Sequence, residues 1–293
     1  HLTEMLELNN SGVLMFTDDG SPVMKTEVMK LAFEYASPMD LLISQHCEDS
    51  SLTTNYSMNE SELSYRLGLK GYPSVAEEII LSRDIMLAEY YGNRRYHAQH
   101  LSTKGSVDLV RSSKSKGLRV TSEVTPHHFI LNDENLTTYD SNYKMNPPIR
   151  KDDDINALIQ GLQDGTIDCI ATDHAPHALH EKNVELELAP NGIIGLETSL
   201  GLSLTYLVHK GFLSVNQLIE KMSVNPRKIL NLEPIRFETG EKINLTIFDL
   251  DEEWIVNKSK FKSKSKNTPF EGYKLKGKQR YIINGQNFVE CNL

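Results

Sequence analysis

Asp18 and Asp19, His46, His97 and His100, and Asp173 with His174 and His177 are the residues of this 293-residue sequence whose types could do chemistry together. Carboxylates and imidazoles are oxygen and nitrogen donors suited to Zn²⁺ or a similar divalent ion. Such an ion lowers the pKa of a water it binds towards about 7, which makes a metal hydrolase the natural inference. Each residue alone has a plainer reading, because a His at a strand end is usually a hydrogen-bonded loop residue and Asp19-Gly20 is ordinary turn chemistry. Their placement favours the joint reading. They close the apolar runs "GVLMF" (12–16), "LLIS" (41–44), "RYHAQHLS" (95–102) and "TIDCIA" (166–171). His97 and His100 are an odd number of residues apart, so on a strand they point to opposite faces and only one enters the site. His127 and His128 follow the run "LRVTSEV" (118–124). Loop packing or a supporting hydrogen bond suits them at least as well as direct ligation.

The elements that must position these residues are strands alternating with helices. Met24, Val28, Leu31, Ala32 and Tyr35 keep a helical period after the first run. A helix is expected over 74–90, where Ser74 and Glu77 have capping-box spacing, and others over 106–115 (closed by Gly117), 153–162, 196–208 and 215–222. Such βα units make a parallel sheet with both faces covered. In a parallel barrel the carboxyl ends of the strands form the face where active sites are built, so ligands far apart in sequence converge there. After about residue 231 the texture changes to short strand patterns, "INLTIFDL", "EWIV", "YKLKGK" and "QRYIING". The expected division is residues 1–231 as a β/α barrel part and 232–293 as a small β-rich module.

Composition narrows the function classes. With 39% hydrophobic and 24% charged residues the chain is ordinary for a globular protein. A net charge of −9 gives no general affinity for nucleic acid or an anionic membrane, so neither is expected as a partner. The run "KSKFKSKSK" (258–266) reads as a solvated segment. Cys47, Cys169 and Cys291 form no CxxC pair and fit a reducing compartment, so a cytoplasmic protein is expected. No apolar run approaches the roughly 18 residues of a membrane span. The first residue is His1, and "LTEMLELNNSG" reads as the end of a helix, so the natural N-terminus is expected upstream.

In order along nearly the whole chain, "FTDDGSPV", "QHCED", "HAQHLST", "VTPHHFIL", "KMNPPIR", "ATDHAPH", "APNGIIGLET" and "KNTPFEG" resemble bacterial dihydroorotase of the amidohydrolase superfamily. "DHAPH" is shared with other cyclic amidases. "MNPPIR" and the Asp-Asp-Gly after the first run narrow the likeness to the branch that uses an aspartate where relatives use a carboxylated lysine. The resemblance implies an α/β fold, a partial (β/α)₈ TIM barrel of about strands 4 to 8, with a composite β module. It implies Zn²⁺, one or two ions per subunit, with Asp19 as the bridging carboxylate and His46 and His100 as the histidine ligands. Asp173 would be both a ligand and the catalytic acid/base. Asn146, His177 and the backbone of Asn191 and Gly192 match substrate-binding positions; many relatives carry an aromatic residue at 191, and a backbone contact survives that change. The family's His-x-His pair and a substrate-binding arginine belong to the first strand and have no counterpart in these 293 residues, so this chain alone is expected to be inactive.

The implied reaction is the reversible interconversion of N-carbamoyl-L-aspartate and L-dihydroorotate in pyrimidine biosynthesis. Asp173 would accept the proton of the attacking water and return it to the ring nitrogen. Asn146, His177 and the arginine would hold the substrate carboxylate. A homodimer or a complex with aspartate transcarbamoylase is the implied assembly. The rivals are a hydantoinase or allantoinase, which shares the fold and most ligands, and a non-catalytic dihydroorotase-like scaffold of aspartate transcarbamoylase, which should have lost ligands that are present here.

Overall fold

Leu42–Gln45 is buried along its whole length, as is Tyr96–Ala98, which is what strands covered on both faces require. The computed structural model describes residues 2–241 and 243–291. Five strands, β1 (Met15–Phe16), β2 (Leu42–Gln45), β3 (Tyr96–Ala98), β4 (Val120–Val124) and β5 (Cys169–Ile170), form one sheet in that order. Every pairing in it is parallel. Helices Thr26–Ala36, Val75–Tyr90, Lys104–Ser115 and Asp152–Asp164 make the connections. Phe33, Leu81, Tyr96, Val107, Val124 and Leu158 lie in one core between these helices and the sheet.

The helix-facing side of β4 carries Val120, Ser122 and Val124, all buried, while Thr121 and Glu123 are half-buried on the alternate face. Register places His97 beside Thr121, and His97 Nδ1 lies 2.8 Å from its hydroxyl. The sheet therefore has an apolar side under the helices and a polar side leading to the strand ends.

The chain then forms a three-stranded antiparallel sheet, β6 (Asn244–Ile255), β7 (Lys274–Asn284) and β8 (Asn287–Glu290), with β7 central. "INLTIFDL" and "EWIV" thus belong to one long irregular strand, and "YKLKGK" and "QRYIING" to its partner. This sheet packs on the first part through a close approach. A Cβ on Gly201 would sit 2.8 Å from the Trp254 ring, and the Trp254 indole donates to the Gly277 carbonyl at 2.9 Å.

Three local expectations change. The buried stripe of helix Thr26–Ala36 is Met29, Ala32, Phe33 and Ala36; Met24 precedes its first turn, and Leu31 lies on its exposed face. Ser74 makes no side-chain cap, since Glu77 instead accepts the Ser102 and Thr103 backbone N–H groups at 3.1 and 3.3 Å. A tertiary demand for that carboxylate overrides the capping box. "RYHAQHLS" is a strand only to Ala98. Beyond it His100 has φ +29°, so strand parity does not govern which histidine reaches the site.

Candidate metal centre and active site

After four of the five sheet strands the chain presents a titratable group within a few residues: Asp19 after β1, His46 after β2, His100 after β3 and Asp173 after β5. One ligand atom each from Asp19, His46 and His100 lies within 4.8 Å of the others. His46 Nδ1 faces His100 Nε2 at 3.0 Å, and an Asp19 carboxylate oxygen is 3.7 Å from that same His100 nitrogen. Both histidines are buried and Asp19 is half exposed, so the cluster opens to solvent on the Asp19 side.

Burial pulls the His100 imidazole down, but the Asp19 carboxylate facing it and the charges of Asp173 and Glu123 outweigh it and bring it up to about 9. The His100 imidazole beside it holds the Asp19 carboxyl below its usual range against the opposing effect of burial. Two imidazoles and a carboxylate with this much negative surrounding charge suit a divalent cation, which would take the place of the His100 proton.

Asp173 stands beside this cluster rather than within its 4.8 Å span. Burial pushes its carboxyl up; the charges of Asp19 and Glu123 act in the same direction, and those of His100 and His46 oppose it. Its backbone is in the left-handed region, φ +45°, which costs a non-glycine residue energy.

Two carboxylates that sequence reasoning missed support the histidines. Glu48 accepts from His46 Nε2 at 2.8 Å, so the His46 proton sits on Nε2 and the Nδ1 lone pair faces the cluster. The Thr53 hydroxyl also donates to Glu48. Burial of Glu48 is outweighed by its bonds from His46, Asn146 and Thr53, which keep the carboxyl low and ionised. Glu123 on β4 accepts from His97 Nε2 at 3.2 Å and from the His100 backbone N–H at 3.4 Å. His97 thus reaches His100 through Glu123 and is not turned to the other side of the sheet. His127 and His128 lie on the short helix Pro126–Ile130, outside the cluster. His128 Nδ1 accepts from the Thr125 hydroxyl at 2.7 Å and its Nε2 donates to the Pro147 carbonyl at 2.9 Å, a supporting bond to the segment that carries Asn146.

Asn146 Nδ2 donates to Glu48 at 2.8 Å, and Asn146 Oδ1 is buried without a partner. An ionised carboxylate only accepts, so the amide orientation follows from Glu48. The NH₂ group that the sequence reading gives to a substrate carboxylate is engaged, and the open atom is an acceptor. His177 Nε2 donates to the Asn191 carbonyl at 2.7 Å, bringing two expected substrate-binding positions together. Gly192 gives its N–H to the Lys144 carbonyl at 2.9 Å. Its φ is +120°, and a Cβ there would lie 2.5 Å from that of Ala175, so no other residue fits.

Known proteins resemble this chain in sequence and in fold. A family model described as dihydro-orotase-like matches residues 1–106. The dihydroorotase of Acetivibrio thermocellus is 50% identical over 288 residues, covering 98% of this chain and 67% of that protein. The dihydroorotase of Syntrophus aciditrophicus is 47% identical over 94% of this chain and 65% of its own length. The chain thus spans about two thirds of these relatives. Among solved structures, L-hydantoinase (dihydropyrimidinase) from Arthrobacter aurescens matches with a TM-score of 0.87 at 24% identity, over 98% of this chain and 67% of that one. Dihydropyrimidinase from Brevibacillus agri NCHU1002 matches with 0.86 at 20% identity, over 97% and 65%. Those two likenesses, both under 25% identical, speak for the fold alone. Among the described residues no helix is long and apolar enough to cross a membrane. The sequence identity, sustained through both halves of the chain, goes further than the fold, and the chain belongs to the dihydroorotase family.

Proposed function

We propose that the complete protein interconverts N-carbamoyl-L-aspartate and L-dihydroorotate, a step of pyrimidine biosynthesis in the cytoplasm. The observation that carries this reading is the convergence of Asp19, His46 and His100 beside the buried Asp173, in a chain half identical to a named dihydroorotase. Residues 1–231 would then supply about strands 4 to 8 of the barrel, and 232–293 part of a composite β module.

Asp19, His46 and His100 would hold Zn²⁺, one or two ions, with Asp173 as a further ligand. When bound, the ion supplies a more acidic water and polarises the amide carbonyl. Asp173 accepts the proton of the attacking water and delivers it to the ring nitrogen as the C–N bond breaks; in the synthetic direction the same carboxylate takes the proton from the ureido nitrogen. Burial shifts its carboxyl upward, the direction that helps a carboxylate both take and return a proton. Glu48 fixes the His46 tautomer. The unpartnered Asn146 Oδ1 accepts a substrate N–H, and the His177 and Asn191–Gly192 segments form the opposite wall.

Turnover is the test. The complete protein should hydrolyse L-dihydroorotate in preference to hydantoin and allantoin; a reversed preference would move it to the hydantoinases, and no turnover of any with metal bound would leave a scaffold.

A further inference from the structure

Asn267, in "KNTPFEG", lies in the long connection between β6 and β7 and is buried. Its side chain belongs to none of the chemistry above, yet every polar atom of it is engaged by the wall of the site. Nδ2 donates to the Ala175 carbonyl at 2.9 Å and to the Gly192 carbonyl at 3.1 Å. Oδ1 accepts the His177 backbone N–H at 3.2 Å. The main chain joins in, since the Ile194 N–H donates to the Asn267 carbonyl at 3.0 Å. Two carbonyls can only accept and an N–H can only donate, so the amide has one orientation here.

The two segments it joins approach each other closely at Gly192 and Ala175, and the Ala175 N–H donates to the Ile193 carbonyl at 2.8 Å. That contact fixes their spacing but leaves the Gly192 carbonyl to be held from elsewhere. Asn267 holds it from one direction. Lys182 Nζ, buried among the carbonyls of Pro190, Gly192 and Lys144 at 2.9, 3.3 and 3.4 Å, holds it from another. The connection that carries Asn267 is itself anchored, because Glu197 accepts the backbone N–H groups of Lys262 and Ser263 at 2.7 and 3.0 Å.

We propose that Asn267 is a positioning residue of the site, through which the C-terminal part of the chain holds the His177 segment and the Asn191–Gly192 loop in register for substrate. The proposal rests on the reading of those segments as substrate-binding. Asn267 touches no reacting atom. Its loss shifts the wall against which substrate is held and leaves Asp19, His46, His100 and Asp173 in place.

The experiment compares Asn267→Ala and Asn267→Asp with the wild type in the complete protein. For Asn267→Ala, KM for dihydroorotate should rise on the order of tenfold, while kcat stays within about threefold and metal content is unchanged. Asn267→Asp should raise KM at least as much, since its carboxylate keeps the His177 bond but faces two carbonyls. Damage to folding alone would lower the active fraction, and so kcat, at constant KM. A KM within about twofold of the wild type in both variants, or a fall in kcat at constant KM, overturns the proposal. Hydrogen exchange supplies a readout independent of turnover: Asn267→Ala should speed exchange in 175–178 and 190–195 and leave 96–100 unchanged. If the wild type turns over no dihydroorotate, the substrate reading falls and exchange alone decides. Loosening confined to the two segments then upholds the clamp, and unchanged or uniform exchange overturns it.

Discussion

Glu48→Ala should separate metal holding from folding. The Glu48 carboxylate receives His46 Nε2–H and Asn146 Nδ2–H, each at 2.8 Å, together with the Thr53 hydroxyl, and the residue is 6% exposed. Truncation leaves those donors buried and unpaired, at about 1–3 kcal/mol for each. It also frees His46 to carry its proton on Nδ1, the nitrogen that must be bare to ligate. Loss of such a support typically lowers metal affinity about 10–100-fold, or about 1.4–2.7 kcal/mol. Glu48→Ala belongs near the upper end because it releases Asn146 as well. Glu48→Gln belongs near the lower end, since it keeps the volume and one acceptor oxygen. The assay is competition for Zn²⁺ between the complete protein and a chromogenic chelator, with melting temperature followed on the same samples. A Glu48→Ala protein that melts cooperatively and binds Zn²⁺ within about twofold of the wild type would show that His46 is oriented without Glu48, and the reasoning would fail.

In the complete protein Asp173→Asn should lower kcat by on the order of 10²-fold or more with metal retained, measured on one sample; near-normal turnover at full metal occupancy removes Asp173 as the proton carrier. Asp19→Ala should reduce metal content far more than Asp18→Ala, because Asp19 alone of the two shares the ligand cluster, and equal losses reverse the assignment. His128 should set an acid limb of stability: burial, opposed by the Pro147 bond and aided by the charges of His100 and Arg150, pushes its imidazole from 6.5 down to about 3. The unfolded chain takes that proton first, so this contribution is present above pH 6.5 and is lost as pH falls towards 3, with about 2 kcal/mol gone by about pH 5. His128→Gln, which can still donate to the Pro147 carbonyl, should shrink the fall in melting temperature between about pH 7 and 5; an undiminished fall argues against it.

What the sequence shows of this fold follows the range of the forces that write it. Strand and helix periods are local, so the alternation of β1 to β5 with helices, and the titratable residue after each of four strands, can be read directly. Failures come where a side chain answers to a distant partner. Glu77 has the spacing of a cap and instead holds the turn at Ser102 and Thr103. Strand parity would separate His97 from His100, but the strand ends at Ala98 and Glu123 joins them. Glu48 left a local signal, since two residues along an extended backbone return a side chain to the same side as His46. Asn267 left none, being 90 residues from His177 and 75 from Gly192. No period links positions so far apart. What could point to it is its type: an amide in a motif otherwise made for turning and packing, Thr268, Pro269 and Phe270, has donors and an acceptor that burial obliges the fold to satisfy. Buried and half-buried polar residues with no assigned chemistry are therefore where the support of a site is to be sought, and at this site those are Glu48, Glu123 and Asn267.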